Sequence, residues 1–397
     1  MKINLENNSE RIYTEYEITV QGWYIYQYIS DVPSLFIHRR RGRIRLSENV
    51  SGGHAWNRAI PDLGSALDSG NETGQAAQAP WSERRSDILN RLLSLSGGVP
   101  DLEPVTCIAH SSTKTADGII VNKISYSTFQ NDRVSAYLLL PPDAERGSKL
   151  PAVLALHPTS TAAKDEVAGF DGKPDNAYGI ELARRGFIVL APDTLTAGER
   201  VFEGWKPYQS APFEERYPDW SMIGKMMYDH RQGVELLCGL ESVDQGRIAA
   251  IGHSLGGYNA FLLAAIEERV KAIVVSCGFS TFAGDEKPER WGERKQWFTH
   301  FPKLNDYLQQ GRFPFEFNEI LALTFPRAAF VWYTQNDAIF PHWEPIGQAI
   351  KTVRDFYAQL GQEDRFAAYM GVGEHEFPPP ARELAYRWLE RQLAARA

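Results

Sequence analysis

The chain has 397 residues, 43% of them hydrophobic and 23% charged, a balance typical of a soluble globular protein with a core large enough to need no disulfide or structural metal. The formal net charge of −8 argues against nucleic acid or an anionic membrane as the main partner, since both reward basic surfaces. No apolar run reaches the length of a membrane span.

Residues 11–46 are rich in Tyr, Trp and Ile and alternate well enough to predict short strands. They end in the basic run His38-Arg39-Arg40-Arg41-Gly42-Arg43-Ile44-Arg45, read as a solvated edge strand or loop, with an anion or partner patch as the alternative. Residues 47–80 are rich in Ser, Gly, Ala, Asn and Gln and read as a poorly ordered linker. Residues 1–80 are therefore expected to form an N-terminal extension, and 81–397 the main domain. Homo-oligomerisation is left open.

From Trp81 the pattern changes. Trp81–Leu95 carries an apolar helical stripe through Ile88, Leu89, Leu92 and Leu93, stopped by Gly97-Gly98. Ile119–Phe129 and Val134–Leu140 read as an antiparallel hairpin turning at Gln130-Asn131-Asp132-Arg133. Strands and helices then alternate. Strands are predicted at Ala152–Leu156, Phe187–Leu190, Arg247–Ile251, Val270–Ser276, Ala328–Tyr333 and Phe366–Met370. Helices are predicted at Ala177–Arg185, Met222–Leu240, Gly256–Glu268, Ile346–Leu360 and Ala381–Leu393. Such alternation implies an α/β fold with a mostly parallel sheet flanked by helices, and the antiparallel hairpin at its start.

The strongest chemical signal is Gly252-His253-Ser254-Leu255-Gly256, between a strand and a helix. This is G-x-S-x-G in its required context. The serine of such a turn stands clear of the backbone, and glycines on either side let strand and helix approach. Its place at a helix N-terminus favours a developing oxyanion. Ser254 is thus the candidate nucleophile. His253, next to it on so tight a turn, is expected to pack or hydrogen-bond beneath it.

With this motif the triad partners follow in the order serine, acid, histidine, each just past the end of a later strand. Asp337, after Ala328–Tyr333, is the natural acid, with Glu344 a weaker competitor and a turn or cap role for Asp337 the alternative. His375, on the glycine-flanked loop after the last strand, is placed to act as base, with Glu374 and Glu376 pointing elsewhere. The oxyanion hole needs two backbone N–H groups. Leu255 supplies one; Thr159 is chosen for the other, because Pro158 has none. His157 either orients that loop or makes a structural hydrogen bond.

Four stretches now carry a resemblance: Ala155-Leu156-His157-Pro158-Thr159, Arg185 to Asp193, Gly252 to Ala260, and Gly373-Glu374-His375-Glu376-Phe377-Pro378. From Trp81 onward the chain resembles the dienelactone hydrolase-like and acetyl xylan esterase-like branch of the α/β-hydrolase superfamily. The resemblance implies an α/β-hydrolase fold and hydrolysis of small-molecule carboxylic esters through an acyl-enzyme, with no metal or organic cofactor. Residue by residue it supports Ser254, Asp337 and His375. Dienelactone hydrolases proper use a cysteine nucleophile, so serine here favours a general esterase. The aromatic stretch before Trp81 has no counterpart in the family pattern.

Two irregular segments, 198–219 and 279–317, are rich in aromatics and follow strands at the catalytic end. They read either as walls of a substrate pocket or as ordinary packing of a cap. Cys107, Cys238 and Cys277 are far apart with no metal-type spacing, and Cys238 and Cys277 read as buried small hydrophobes. Met1 to Val20 lacks a signal-peptide pattern, so a cytoplasmic location is expected. Amide cleavage on the same triad and a catalytically silent binding module are the competing readings.

Overall fold

The computed structural model describes residues 25–27, 59–63, 81–98, 100–145, 147, 149–294 and 297–395. Most of the aromatic N-terminal stretch, the whole basic run and most of the linker lie outside these residues. Within the linker, residues 59–63 are described, and Leu63 is fully buried against the core. An apolar side chain in a polar stretch has docked there instead of remaining solvated.

The strands are β1 (Ile25–Gln27), β2 (Cys107–Lys114), β3 (Ile120–Ser127), β4 (Arg133–Leu140), β5 (Leu150–Leu156), β6 (Ile188–Pro192), β7 (Val243–His253), β8 (Val270–Ser276), β9 (Ala328–Thr334) and β10 (Phe366–Gly371). The helices are α1 (Trp81–Ser96), α2 (Lys164–Ala168), α3 (Tyr178–Arg184), α4 (Ala211–Arg216), α5 (Met222–Cys238), α6 (Leu255–Ile266), α7 (Leu304–Gln309), α8 (Phe317–Ala322), α9 (Trp343–Gln359) and α10 (Pro379–Gln392). Among the described residues the strands make one sheet, in the order β1-β10-β9-β8-β7-β5-β6-β4-β3-β2. From β6 to β10 every neighbouring pair is parallel. β4, β3 and β2 continue it antiparallel at one edge, and β1 pairs antiparallel with β10 at the other.

The alternation of side chains along each strand sorts the core into two layers. Leu154, Ile273 and Val331 face one side with α5, α6 and α9. Val153, Val274 and Phe330 face the other with α3 and α10. Strands covered on both faces read as unbroken apolar runs, and β8 and β9 are buried along almost their whole length. The hairpin turns as its sequence predicts, with Gln130 and Asn131 both in the left-handed region at φ 55° and 64°.

Two features differ from expectation. An additional strand, β2, lies outside the hairpin and is exposed at every position, so it carries no apolar periodicity to announce it. Cys238 is only partly buried, while Cys277 is buried and Cys107 exposed; all three are free thiols. Among the described residues, no helix is long and apolar enough to cross a membrane.

A buried ionic cluster fixes the hairpin tip beneath the first irregular segment. Arg200 binds Asp229 of α5 at 2.8 Å and Asp132 of the hairpin turn at 2.6 Å, and Lys225 reaches Asp132 at 3.3 Å.

Candidate active site

The parallel strands β5, β7, β8, β9 and β10 all end on one side of the sheet, where an open α/β sheet gathers ligands. Ser254 sits between β7 and α6 with φ 54° and ψ −119°, a conformation that L-residues avoid unless their surroundings enforce it. The surroundings here are backbone. A Cβ on Gly252 would lie 2.1 Å from the carbonyl carbon of Gly256, and one on Gly256 would lie 1.9 Å from the Leu156 oxygen. The Ser254 N–H donates to the Ser276 carbonyl at 2.8 Å, which pins the turn to the end of β8.

His375 and Asp337 approach from the other side. Asp337 follows β9 and His375 follows β10. Their loops are joined by Gln335 N–H to the Gly371 carbonyl at 2.9 Å, and by the Thr334 hydroxyl to the Glu374 carbonyl at 2.8 Å. His375 Nδ1 donates to Asp337 Oδ2 at 2.7 Å, while Asp337 Oδ1 accepts from the N–H groups of Ile339 and Phe340 at 2.8 and 3.0 Å. Burial alone would push the Asp337 carboxyl up. The hydrogen bond and charge of His375, with the two N–H groups, outweigh it and hold the carboxyl below its ordinary value. His375 Nδ1 faces a carboxylate and so carries the ring proton, leaving Nε2 as acceptor. Among the described residues, Nε2 is buried and has no hydrogen-bond partner, so the Ser254–His375 bond is not made.

The neighbours of these residues have separate duties. His253 is buried beneath the turn, its Nδ1 3.0 Å from the Ser276 hydroxyl and its ring centroid 4.9 Å from that of His375. Burial first, then the His375 charge, push its pKa down to about 3, so it stays neutral. Glu376 Oε1 accepts from the Glu374 N–H at 3.0 Å, within its own loop. Glu344, the competing acid, lies in the first turn of α9.

The loop after β5 carries Thr159 to the rim of a cleft of about 140 Å³, which Ser254 and Leu255 also line. His157 is buried behind it. Its Nε2 accepts from the Thr194 N–H at 3.0 Å, so Nδ1 carries the proton and donates to the Pro158 carbonyl at 2.7 Å. His157 therefore makes structural hydrogen bonds, to Pro158 of its own loop and to Thr194. Tyr208 completes the support. Its hydroxyl accepts from the Ser160 N–H at 2.8 Å and donates to the Ser160 carbonyl at 2.7 Å. Tyr208 is one of several aromatics in the segment 198–219, and nothing in an irregular, proline-rich stretch marks which ring turns inward.

The two irregular segments do form walls of the cleft, through Tyr208 on one side and Trp291, Trp297 and Phe298 on the other. Tyr208 stacks on Trp297 with ring centroids 5.6 Å apart. Two arginines, Arg290 and Arg294, and the partly polar rings of Tyr258 and His300 also line it; the sequence had given no reason to single these out. A larger groove of about 420 Å³ runs beside α3, but Ser254, Asp337 and His375 are not among its walls.

Residues 177–342 match the sequence profile described as alpha/beta hydrolase fold. The chain is 24% identical over 314 residues to the Bacillus subtilis (strain 168) protein named "Putative hydrolase YtaP", matching 78% of this chain and all of that one. Among solved structures, a glucuronoyl esterase from Solibacter usitatus superposes with a TM-score of 0.62 at 17% identity, over 84% of this chain and 98% of its own. A CE15 glucuronoyl esterase from Teredinibacter turnerae T7901 superposes with a TM-score of 0.58 at 18% identity, over 84% and 89%.

Proposed function

We propose that the chain, whose residues 177–342 match the alpha/beta hydrolase fold profile, is a serine esterase of that superfamily acting through Ser254, His375 and Asp337. The observation that carries this reading is the strained, outward turn at Ser254 together with the 2.7 Å His375–Asp337 hydrogen bond at neighbouring strand ends.

In this mechanism the Ser254 oxygen attacks the ester carbonyl carbon and its proton passes to His375 Nε2. Asp337 keeps the other ring proton on Nδ1 and stabilises the imidazolium. The carbonyl oxygen becomes an oxyanion, held by the N–H groups of Leu255 and Thr159. Collapse breaks the bond to the alcohol oxygen, which leaves with the proton from His375. Water then attacks the acyl-enzyme with His375 again as base, and Ser254 is regenerated. No step calls on a metal or organic cofactor. The substrate is a small-molecule ester, and the glucuronoyl esterases among the structural neighbours make sugar-acid esters a reasonable part of any panel.

The test compares wild type with Ser254→Ala on p-nitrophenyl esters from acetate to octanoate, alongside fluorophosphonate labelling. Turnover should fall by about 10³ or more in the variant, and labelling should disappear. A folded wild type that neither turns over esters nor takes the label would sink the proposal and favour a silent binding module. Labelling without ester turnover would move the reading to amide bonds.

A further inference from the structure

The walls of the cleft are chemically one-sided. Two arginines line it and no aspartate or glutamate does, although the chain as a whole carries a net charge of −8. The two arginines are not equivalent. Arg290 is neutralised by the fully buried Asp285, to which it donates from Nε at 2.9 Å and Nη2 at 2.6 Å. Asp285 also accepts from Trp291 Nε1 at 3.1 Å, so both its oxygens are engaged.

Arg294 has no such partner. Its Nε donates to the Arg290 carbonyl at 2.8 Å, and among the described residues no carboxylate lies within ion-pair distance of its guanidinium. Burial, then the charge of Arg290, push its pKa below the ordinary guanidinium range, outweighing the smaller opposing pull of Tyr258, Glu289 and Asp285.

Two further polar groups stand beside it. The Tyr258 side chain is 3% exposed, and among the described residues its hydroxyl has no hydrogen-bond partner. His300 is 8% exposed, its Nδ1 equally unpartnered, and burial holds the ring neutral. A neutral imidazole always carries one N–H, and a buried hydroxyl left without an acceptor costs free energy. Three donor-bearing residues thus line one cleft whose walls carry no anionic acceptor.

We infer that this cleft selects esters whose acid or alcohol part bears a free carboxylate, with Arg294 as the anchoring cation and Tyr258 and His300 as supporting donors. The inference rests on the esterase reading only for the bond that is cut; the anion site stands on the cleft itself. Arg294 is a specificity residue, taking no part in the proton transfers.

The test uses two near-isosteric pairs. Mono-p-nitrophenyl glutarate against p-nitrophenyl pentanoate places the charge on the acyl side, and 4-acetoxybenzoate against its methyl ester places it on the alcohol side. The readout is the ratio of kcat/KM, anionic over neutral, so a general loss of activity cancels. Wild type should favour the anionic member of at least one pair by about tenfold, the worth of one partly exposed charge-assisted contact. Arg294→Gln should abolish that preference and Arg294→Lys should restore part of it. Arg312→Gln removes the same charge from an exposed loop and should leave the ratio as in wild type. In parallel, calorimetry on Ser254→Ala with 4-acetoxybenzoate and its methyl ester reads binding without turnover. Absence of any turnover would count against the esterase reading, while the calorimetric preference still decides the anion site. Equal ratios in both pairs with equal binding, or a preference that survives Arg294→Gln, would overturn the inference.

Discussion

Replacing Asp337 by asparagine probes the pairing on which the proposed chemistry depends. In the native chain Oδ1 accepts two backbone N–H groups and Oδ2 accepts His375 Nδ1. Asparagine offers one acceptor oxygen and one NH2 donor. The two backbone donors of Ile339 and Phe340 claim the oxygen, which leaves the amide nitrogen facing the imidazole. His375 must then accept at Nδ1 and carry its proton on Nε2, the atom required to receive the Ser254 proton. An inverted tautomer in otherwise intact geometry lowers kcat by about 10⁴, or about 5.5 kcal/mol in barrier height. The assay is p-nitrophenyl acetate hydrolysis between pH 7 and 9, with circular dichroism confirming the fold. Because the native carboxyl is held below its ordinary value, it stays ionised over that range and adds no inflection of its own. A folded variant that keeps more than about a tenth of wild-type kcat would refute the argument, since Asp337 would then not control the imidazole.

Three other outcomes follow from the same geometry. Tyr208→Phe removes both hydrogen bonds to Ser160 and should lower kcat by roughly tenfold through a misplaced Thr159 N–H, with little change in KM; an effect confined to KM would contradict this. Gly256→Ala drives a Cβ into the Leu156 carbonyl and should lower the apparent unfolding temperature by roughly 10 °C or more, read by a thermal melt. Burial holds His230 and His253 down at about 3, and lowers His157 and His300 as well. Unfolding lets each take up a proton near its ordinary value, so the unfolded chain binds more protons below about pH 6.5. Stability should therefore be highest above that pH and fall towards the folded values, by up to about 1.4 kcal/mol per pH unit for each histidine. A urea midpoint that stays flat from pH 7.5 to 5 would exclude it.

The parts of the molecule legible in the sequence are those whose residues face one environment. β8 and β9 came through as apolar runs because burial on both faces leaves no room for polar alternation. The turn at Ser254 was legible because backbone contacts at Gly252 and Gly256 permit no side chain there. Asp337 and His375 followed from their places at strand ends. What stayed hidden was whatever depends on distant partners. β2 is exposed along its length and has no pattern. The short helices α2, α4, α7 and α8 are held by tertiary packing, with too few residues for a periodic stripe. Tyr208 matters because of Ser160, 48 positions away, and no local rule reaches that far.

The two walls of the cleft are also sewn to each other. The Ser210 hydroxyl accepts from the Thr299 N–H at 3.1 Å, Tyr208 lies against Trp297, and the same Tyr208 holds the loop that presents Thr159. In the proposed mechanism, substrate selection and rate acceleration thus share one mechanical linkage. A protein engineer exchanging only one wall for that of a relative would break the seam and slacken the oxyanion loop along with it. New specificities should be reached sooner by transplanting both segments as a unit, or by altering Arg294 in place, than by shuffling either segment alone.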